Sequence, residues 1–215
     1  MYDDEFELTF DLSDADEASR APAPEQEPVQ EAAPEPAAET EPAAETEPPV
    51  EAVPEPAVPA ANGRCVLISG GDRGIGAAAA RAFWQAGYRV AVLYHTHAEA
   101  AAVLEKELPG LLAVQCDVAS RASCEVAFHT VEQAVGHVDV LVSNAGIAQQ
   151  KLFTDITPEE WQHMLDVNLS GAFHLCQLAL PGMIRRKAGR ILTVSSMWGQ
   201  TGGSCEVHYS AAKRA

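Results

Sequence analysis

Positive charge is almost absent from residues 1–63, which hold 18 acidic side chains against one basic residue, Arg20. Residues 64–215 balance 13 acidic with 13 basic residues, so the formal charge of −17 belongs wholly to the first third of the chain. No basic face is left over for nucleic acid. Cysteine is sparse: Cys65, Cys116, Cys124, Cys176 and Cys205 are odd in number and contain no C-x-x-C pair. No Cys/His group has metal-ligand spacing, and scattered thiols in apolar company fit a reducing cytoplasm, where cysteine serves as a small hydrophobe. The N-terminus lacks the basic stretch and apolar core of a secretory signal. No apolar run approaches the length that crosses a bilayer. These absences predict a soluble, cytoplasmic protein with no metal and neither a nucleic-acid nor a membrane partner.

What is present divides at about residue 64. Eleven of the 14 prolines fall within residues 21–60, among Glu and Ala, and a hexapeptide repeats from Glu35 to Thr40 and from Glu41 to Thr46. Proline removes donors and like-charged glutamates repel, so this stretch is expected to be a disordered, polyproline-like tether. Residues 1–12 alternate Tyr2, Phe6, Leu8, Phe10 and Leu12 with mostly acidic neighbours. The pattern suits either a plain acidic tip or a docking peptide that adds to the sheet edge of an unknown partner.

From Arg64 onward the texture is alternating. Apolar strands are expected at 65–69, 89–94, 111–116, 138–142 and 190–195. Helices are expected at 74–87, 98–108 and 121–135, with a long one at 158–187 bent near Asn168–Gly171 and a last one beginning near Glu206. Thr157 and Pro158 read as the cap and first residue of the long helix. Short apolar strands separated by helices mean a parallel sheet covered on both faces. The expected fold class is therefore α/β, a Rossmann-type doubly wound sheet with its ligand at the carboxyl ends of the strands.

After the first strand, Ser69-Gly70-Gly71-Asp72-Arg73-Gly74-Ile75-Gly76 leads directly into a helix. Glycines there let backbone N–H groups approach a pyrophosphate, and the helix N-terminus favours its negative charge. An ordinary Gly-rich turn is the plainer alternative, but the strand-to-helix context speaks for a phosphate site. Two further residues attract attention by spacing. Tyr209 and Lys213 are i and i+4 on one helix, so they share a face. An ammonium beside a phenol favours the phenolate, which suits proton transfer to or from a carbonyl oxygen. Ser196, at the end of the fifth strand, would hydrogen-bond the same oxygen. A turn or capping role is its plainer alternative, for which the neighbouring Ser195 is the better candidate. His208 must point away from Tyr209, which argues against a histidine-based mechanism.

The spacing G-x-x-x-G-x-G resembles the Thr-Gly-x-x-x-Gly-Ile-Gly motif of the short-chain dehydrogenase/reductase superfamily, with Ser69 in place of Thr. Further motifs follow in the family's order: Asp117-Val118, Ser143-Asn144-Ala145-Gly146, Asn168 within Val-Asn-Leu, Ser196, and Tyr209-x-x-x-Lys213. The resemblance covers residues 64–215 and implies several roles. Ser69, Gly70, Arg73, Gly74, Ile75, Gly76, Asp117, Val118, Asn144, Ala145 and Gly146 would bind a nicotinamide dinucleotide, with Asp117 at the adenine. Ser196, Tyr209, Lys213 and Asn168 would be catalytic. Lys213 would also hold the nicotinamide ribose together with Tyr209, and Asn168 would support a water in the proton relay. No acid follows the second strand until Glu99, and Arg73 precedes Gly74, so the charge pattern favours NADP(H) over NAD.

Two branches of the family bear on the substrate. The chain generally resembles bacterial 3-oxoacyl-[acyl-carrier-protein] reductases, which implies a carrier-bound β-keto thioester. Residues 195–209, with Ser-x-Trp-Gly and Glu206 three residues before Tyr209, resemble elongation factor P 5-aminopentanone reductases. Arg185, Arg186 and Lys187 would suit an acidic carrier protein, or simply complement a helix end. A chain ending at Ala215 would lack about 50–60 residues of a usual domain of this kind. An inactive cofactor-binding fragment is therefore a third reading. Homodimers and homotetramers are usual among full-length members, whose last two long helices form the dimer interface.

Overall fold

The computed structural model describes residues 61–215; the acidic segment with its two sequence-based expectations lies outside them. Five strands form the sheet: β1 (Cys65–Ser69), β2 (Arg89–Tyr94), β3 (Leu112–Gln115), β4 (Val140–Ser143) and β5 (Arg190–Thr193). All pairings are parallel and the order is β3-β2-β1-β4-β5. The chain moves outward from β1 to β3, then returns to the other side of β1 to build β4 and β5. That reversal opens a crevice at the carboxyl ends of β1 and β4.

The strand periodicity of two divides the core. Cys65 and Leu67 join Ala91, Leu93 and Leu141 under α3 (Arg121–Val135) and α5 (Gly171–Arg186). On the other face Val66 and Ile68 join Val90, Val92, Val140 and Val142 under α1 (Gly74–Gln85) and α2 (Ala98–Glu107). All five residues of β1 are buried, as a strand covered on both faces requires. At the other extreme, β5 lies at the sheet edge among the described residues and is largely exposed.

The expected doubly wound fold is present, with local differences. β4 begins at Val140, two residues later than the apolar run suggests; just before it the Asp139 carboxylate accepts from Cys65 N at 2.9 Å and the Val138 carbonyl accepts from Arg186 Nη2 at 2.8 Å. The long helix is three pieces: α4 (Pro158–Leu165), a π turn (Asp166–Ser170) and α5. Its start is a capping box. Thr157 Oγ1 accepts from Glu160 N at 3.2 Å, and Glu160 Oε2 accepts from Thr157 N at 2.9 Å. The π turn falls where a bend was expected, around Asn168, whose Nδ2 donates to the Met164 carbonyl at 3.1 Å and competes with the helical ladder. A one-turn helix α6 (Trp198–Thr201) was not anticipated; α7 (Val207–Arg214) follows it. None of the described helices is long and apolar enough to cross a membrane.

Candidate active site

The carboxyl edge of the sheet carries an open cavity of about 590 Å³, walled by the Gly-rich turn, the ends of β2 and β3, and the segment after β4. Gly70, Arg73, Gly74, Ile75, Asp117, Val118, Asn144, Ala145 and Gly146 all line it. Tyr209 and Lys213 lie outside its lining, and two predicted residues of the turn stand behind the wall instead. Ser69 is fully buried, and its Oγ accepts from Asn144 N and Ala145 N, both at 3.0 Å. Gly76 lies against the Gly70 carbonyl so closely that a Cβ would collide with it. Asn144 closes this lock by donating through Nδ2 to the Ser69 and Gly70 carbonyls at 3.0 and 2.9 Å. The turn is thus held to β4 from below, while Gly74, at φ +53 with nothing near its missing Cβ, leaves the helix start open.

No side chain caps the N-terminus of α1, and no acidic residue sits in its first turn. Its backbone donors are available to an anion. The Asp72 carboxylate beside them is buried, and its Oδ2 has no hydrogen-bond partner; His97 Nδ1 stands 3.7 Å away. The cradle that a Cβ would fill, together with the uncapped helix, fits a dinucleotide pyrophosphate.

On the other side of the crevice, α7 places Lys213 Nζ 5.8 Å from the Tyr209 ring centroid. The ammonium donates to the Val194 carbonyl at 3.0 Å, and burial pushes its pKa down. Asn168 is buried, with Oδ1 unpartnered while Nδ2 donates to Ile147 and Met164. Between the two groups lies Gly146: a Cβ there would fall 2.6 Å from Asn168 Oδ1 and 3.3 Å from Lys213 Nζ. The missing side chain leaves a gap between a buried acceptor and an ammonium. Asn168 and Lys213 therefore flank Gly146, although 45 residues separate them in the chain.

Both serines make local or inter-element hydrogen bonds. Ser196 Oγ, not Ser195, accepts locally from the Trp198 N–H at 3.2 Å at the start of α6. Ser195 Oγ instead donates to the Lys213 carbonyl at 2.8 Å, tying β5 to α7. The reason lies in α6 itself: the unanticipated turn offers its N–H to the nearer hydroxyl. As an acceptor, Ser196 keeps its own hydrogen for another oxygen.

Sequence reasoning missed the residues that hold this half in place. His208 is fully buried. Its Nε2 is 2.9 Å from Gln149 Oε1, while Gln149 Nε2 donates to Glu160 at 2.9 Å. The amide oxygen must therefore accept, which makes Nε2 a donor, while Nδ1 has no partner. Lys151 Nζ donates to both Glu160 oxygens at 2.8 and 2.7 Å. Lys151, the Thr157 N–H and Gln149 hold the Glu160 carboxyl down at about 2. Gly199 packs where a Cβ would strike the Lys213 carbonyl. No spacing rule marks Gln149 or Lys151; Glu160 stands at the capping-box spacing from Thr157, and Gly199 stood in a motif already noted.

Residues 64–215 match the family model of the short chain dehydrogenases, and the chain belongs to that family. It is 42% identical over 150 residues to an acetoacetyl-CoA reductase of Rhizobium meliloti (strain 1021), covering 70% of this chain and 62% of the relative. A 3-oxoacyl-[acyl-carrier-protein] reductase MabA of Mycobacterium avium is 38% identical over 155 residues, covering 72% and 58%. The solved structure of gox2181 superposes with a TM-score of 0.66 at 31% identity, covering 70% of this chain and 61% of that one. The chain thus spans about three-fifths of the length of the curated relatives it matches.

Proposed function

We propose that this chain carries the cofactor and proton-transfer machinery of an NADPH-dependent ketone reductase acting on a β-keto thioester. The observation that carries the reading is Lys213, near the Tyr209 ring and across Gly146 from the unpartnered Asn168 oxygen, with Gly146 lining a cavity bordered by an uncapped helix N-terminus. Gly70, Gly74, Ile75 and the α1 N-terminus would receive the pyrophosphate, and Asp117 and Val118 the adenine end. Arg73 lines the cavity with no acid after β2 to oppose it, which supports a 2′-phosphate. When bound, the nicotinamide supplies the hydride.

The chain's own part is proton handling and charge stabilisation. Tyr209 donates its phenolic proton to the carbonyl oxygen, and the Ser196 hydroxyl donates a hydrogen bond to that oxygen as charge develops. The Lys213 ammonium favours the phenolate left behind. Asn168 Oδ1, facing Lys213 across Gly146, offers an acceptor for a relaying water. Relatives named for acetoacetyl-CoA and for 3-oxoacyl groups on a carrier protein support the thioester class. On α5, Phe173, Leu180 and Ile184 are exposed, which supports pairing with a second copy.

A second reading rests on Glu206. Its carboxylate is half-buried beside α7, where Gln150 Nε2 donates to it at 3.2 Å. A steered carboxylate there suits a ketone that ends in an amine, such as 5-aminopentanone on elongation factor P. The test is a reductase assay with NADPH and NADH, comparing acetoacetyl thioester with the 5-aminopentanone-bearing factor. Faster turnover of the thioester with NADPH is expected. Turnover of the factor alone would install the second reading, and cofactor binding without any turnover would overturn both in favour of a binding fragment.

A further inference from the structure

Two thiols beside the cavity have no part in the proton-transfer scheme. Cys116 follows β3 and lines the cavity wall next to Asp117 and Val118. Cys124 sits in the first turn of α3. Their relative exposures are 2% and 0%, and their sulfurs lie 3.9 Å apart, in van der Waals contact. A disulfide needs about 2 Å, so the two sulfurs must approach by roughly 2 Å. The remaining cysteines, Cys65, Cys176 and Cys205, make no sulfur–sulfur contact among the described residues.

The surroundings make the two thiols unequal. The hydrogen bond with Cys124, and then that of Ser123 Oγ at 3.8 Å, draw the Cys116 thiol below its ordinary range against the opposing effect of burial. The same contact and burial push Cys124 up, and its sulfur also lies 3.5 Å from the Val118 carbonyl. A sulfur on the cavity wall with a second sulfur in contact behind it is the arrangement of a nucleophilic and a resolving cysteine.

We propose that Cys116 and Cys124 form a redox modification site, in which a peroxide entering the cofactor cavity converts them to a disulfide and a bound dinucleotide prevents it. The Cys116 thiolate attacks one peroxide oxygen, the O–O bond breaks, and hydroxide leaves with sulfenic acid formed on Cys116. Cys124 sulfur then attacks the sulfenic sulfur; the S–O bond breaks, and the departing hydroxyl takes the Cys124 proton as water. Two electrons pass from the sulfurs to the peroxide. Asp117 N donates to Ser123 Oγ at 3.0 Å, so drawing α3 toward the end of β3 deforms the wall assigned to adenine. Only the effect on the dinucleotide rests on the cofactor reading; the bond itself does not.

The test treats the whole protein with hydrogen peroxide, with and without saturating NADPH, followed by non-reducing peptide mapping and fluorescence titration of NADPH. A Cys116–Cys124 link is expected with loss of two hydrogens and about a tenfold rise in the NADPH Kd. Dithiothreitol should reverse both changes, and NADPH present during oxidation should suppress the link. Cys124→Ser, a near-isosteric change, should leave Cys116 trapped as sulfenic acid, captured by dimedone, with the circular dichroism unchanged. Absence of the link, its formation through Cys205 instead, or a link that leaves NADPH affinity unaltered would overturn the proposal. If the link forms but the untreated protein binds no dinucleotide, the thiol site stands and the cofactor reading falls.

Discussion

The two walls of the crevice are built from different materials. On the turn side, from β1 into α1, the geometry is carried by backbone: glycines in contact with carbonyls, two sharing one asparagine amide. On the α7 side it is carried by long polar side chains reaching between distant elements, from Lys151 through Glu160 and Gln149 to His208. A backbone cradle tolerates no added atom but depends on few partners. A side-chain relay can be altered one member at a time and should fail by degrees.

The sharpest separation of the walls should come from Tyr209→Phe. Turnover of an acetoacetyl thioester is expected to fall about a thousandfold, while the NADPH Kd, read by fluorescence, rises only about threefold through loss of one ribose contact. A parallel loss of binding would mean that the walls are not independent. Next is Gly76→Ala, whose Cβ meets the Gly70 carbonyl and has no room to move. It should cost about 3 kcal/mol in urea unfolding and abolish NADPH binding. Normal binding would show that the cradle flexes.

Arg73→Ala tests the charge on the same wall more gently. NADPH binding should weaken about tenfold while NADH binding stays as it was, and raising the salt should shrink the difference. Equal losses for both cofactors would move Arg73 from selectivity to general anchoring. The smallest effect is expected in the relay, from Glu160→Gln. Because the folded carboxyl sits at about 2, below its ordinary 4.5, its stabilising contribution is complete above the unfolded value. That contribution disappears as pH falls through 4.5 toward 2. The substitution should therefore lower the thermal midpoint by about one or two degrees at neutral pH. The two melting curves should converge on acidification, and a constant gap would assign the effect to packing instead of charge.

Much of the fold was legible because its signals are local. β1, β2 and α3 have the bounds read from apolar runs, caps and the terminal Gly136. The place of the π turn at Asn168 was legible too, but its cause was not, since the carbonyls of Ile147 and Met164 come together only in the fold. The α6 turn escaped notice because four residues carry no period. Among the site residues, Ser69 and Gly76 occupy motif positions yet lie behind the cavity wall. A motif records which residue types a place requires, without distinguishing lining from support.

By itself the sequence determined the alternation of elements, the glycine positions and the Tyr209–Lys213 spacing, because each depends on covalent geometry and on neighbours a few residues away. Tertiary structure alone decided what those residues face. Crossing back over β1 opened the crevice, and packing α7 against the segment after β4 brought Lys213 near Asn168 across Gly146. It also set Cys116 against Cys124 beside the cavity. Such contacts join elements whose approach is governed by burial of the whole sheet, and no local pattern in the chain encodes them.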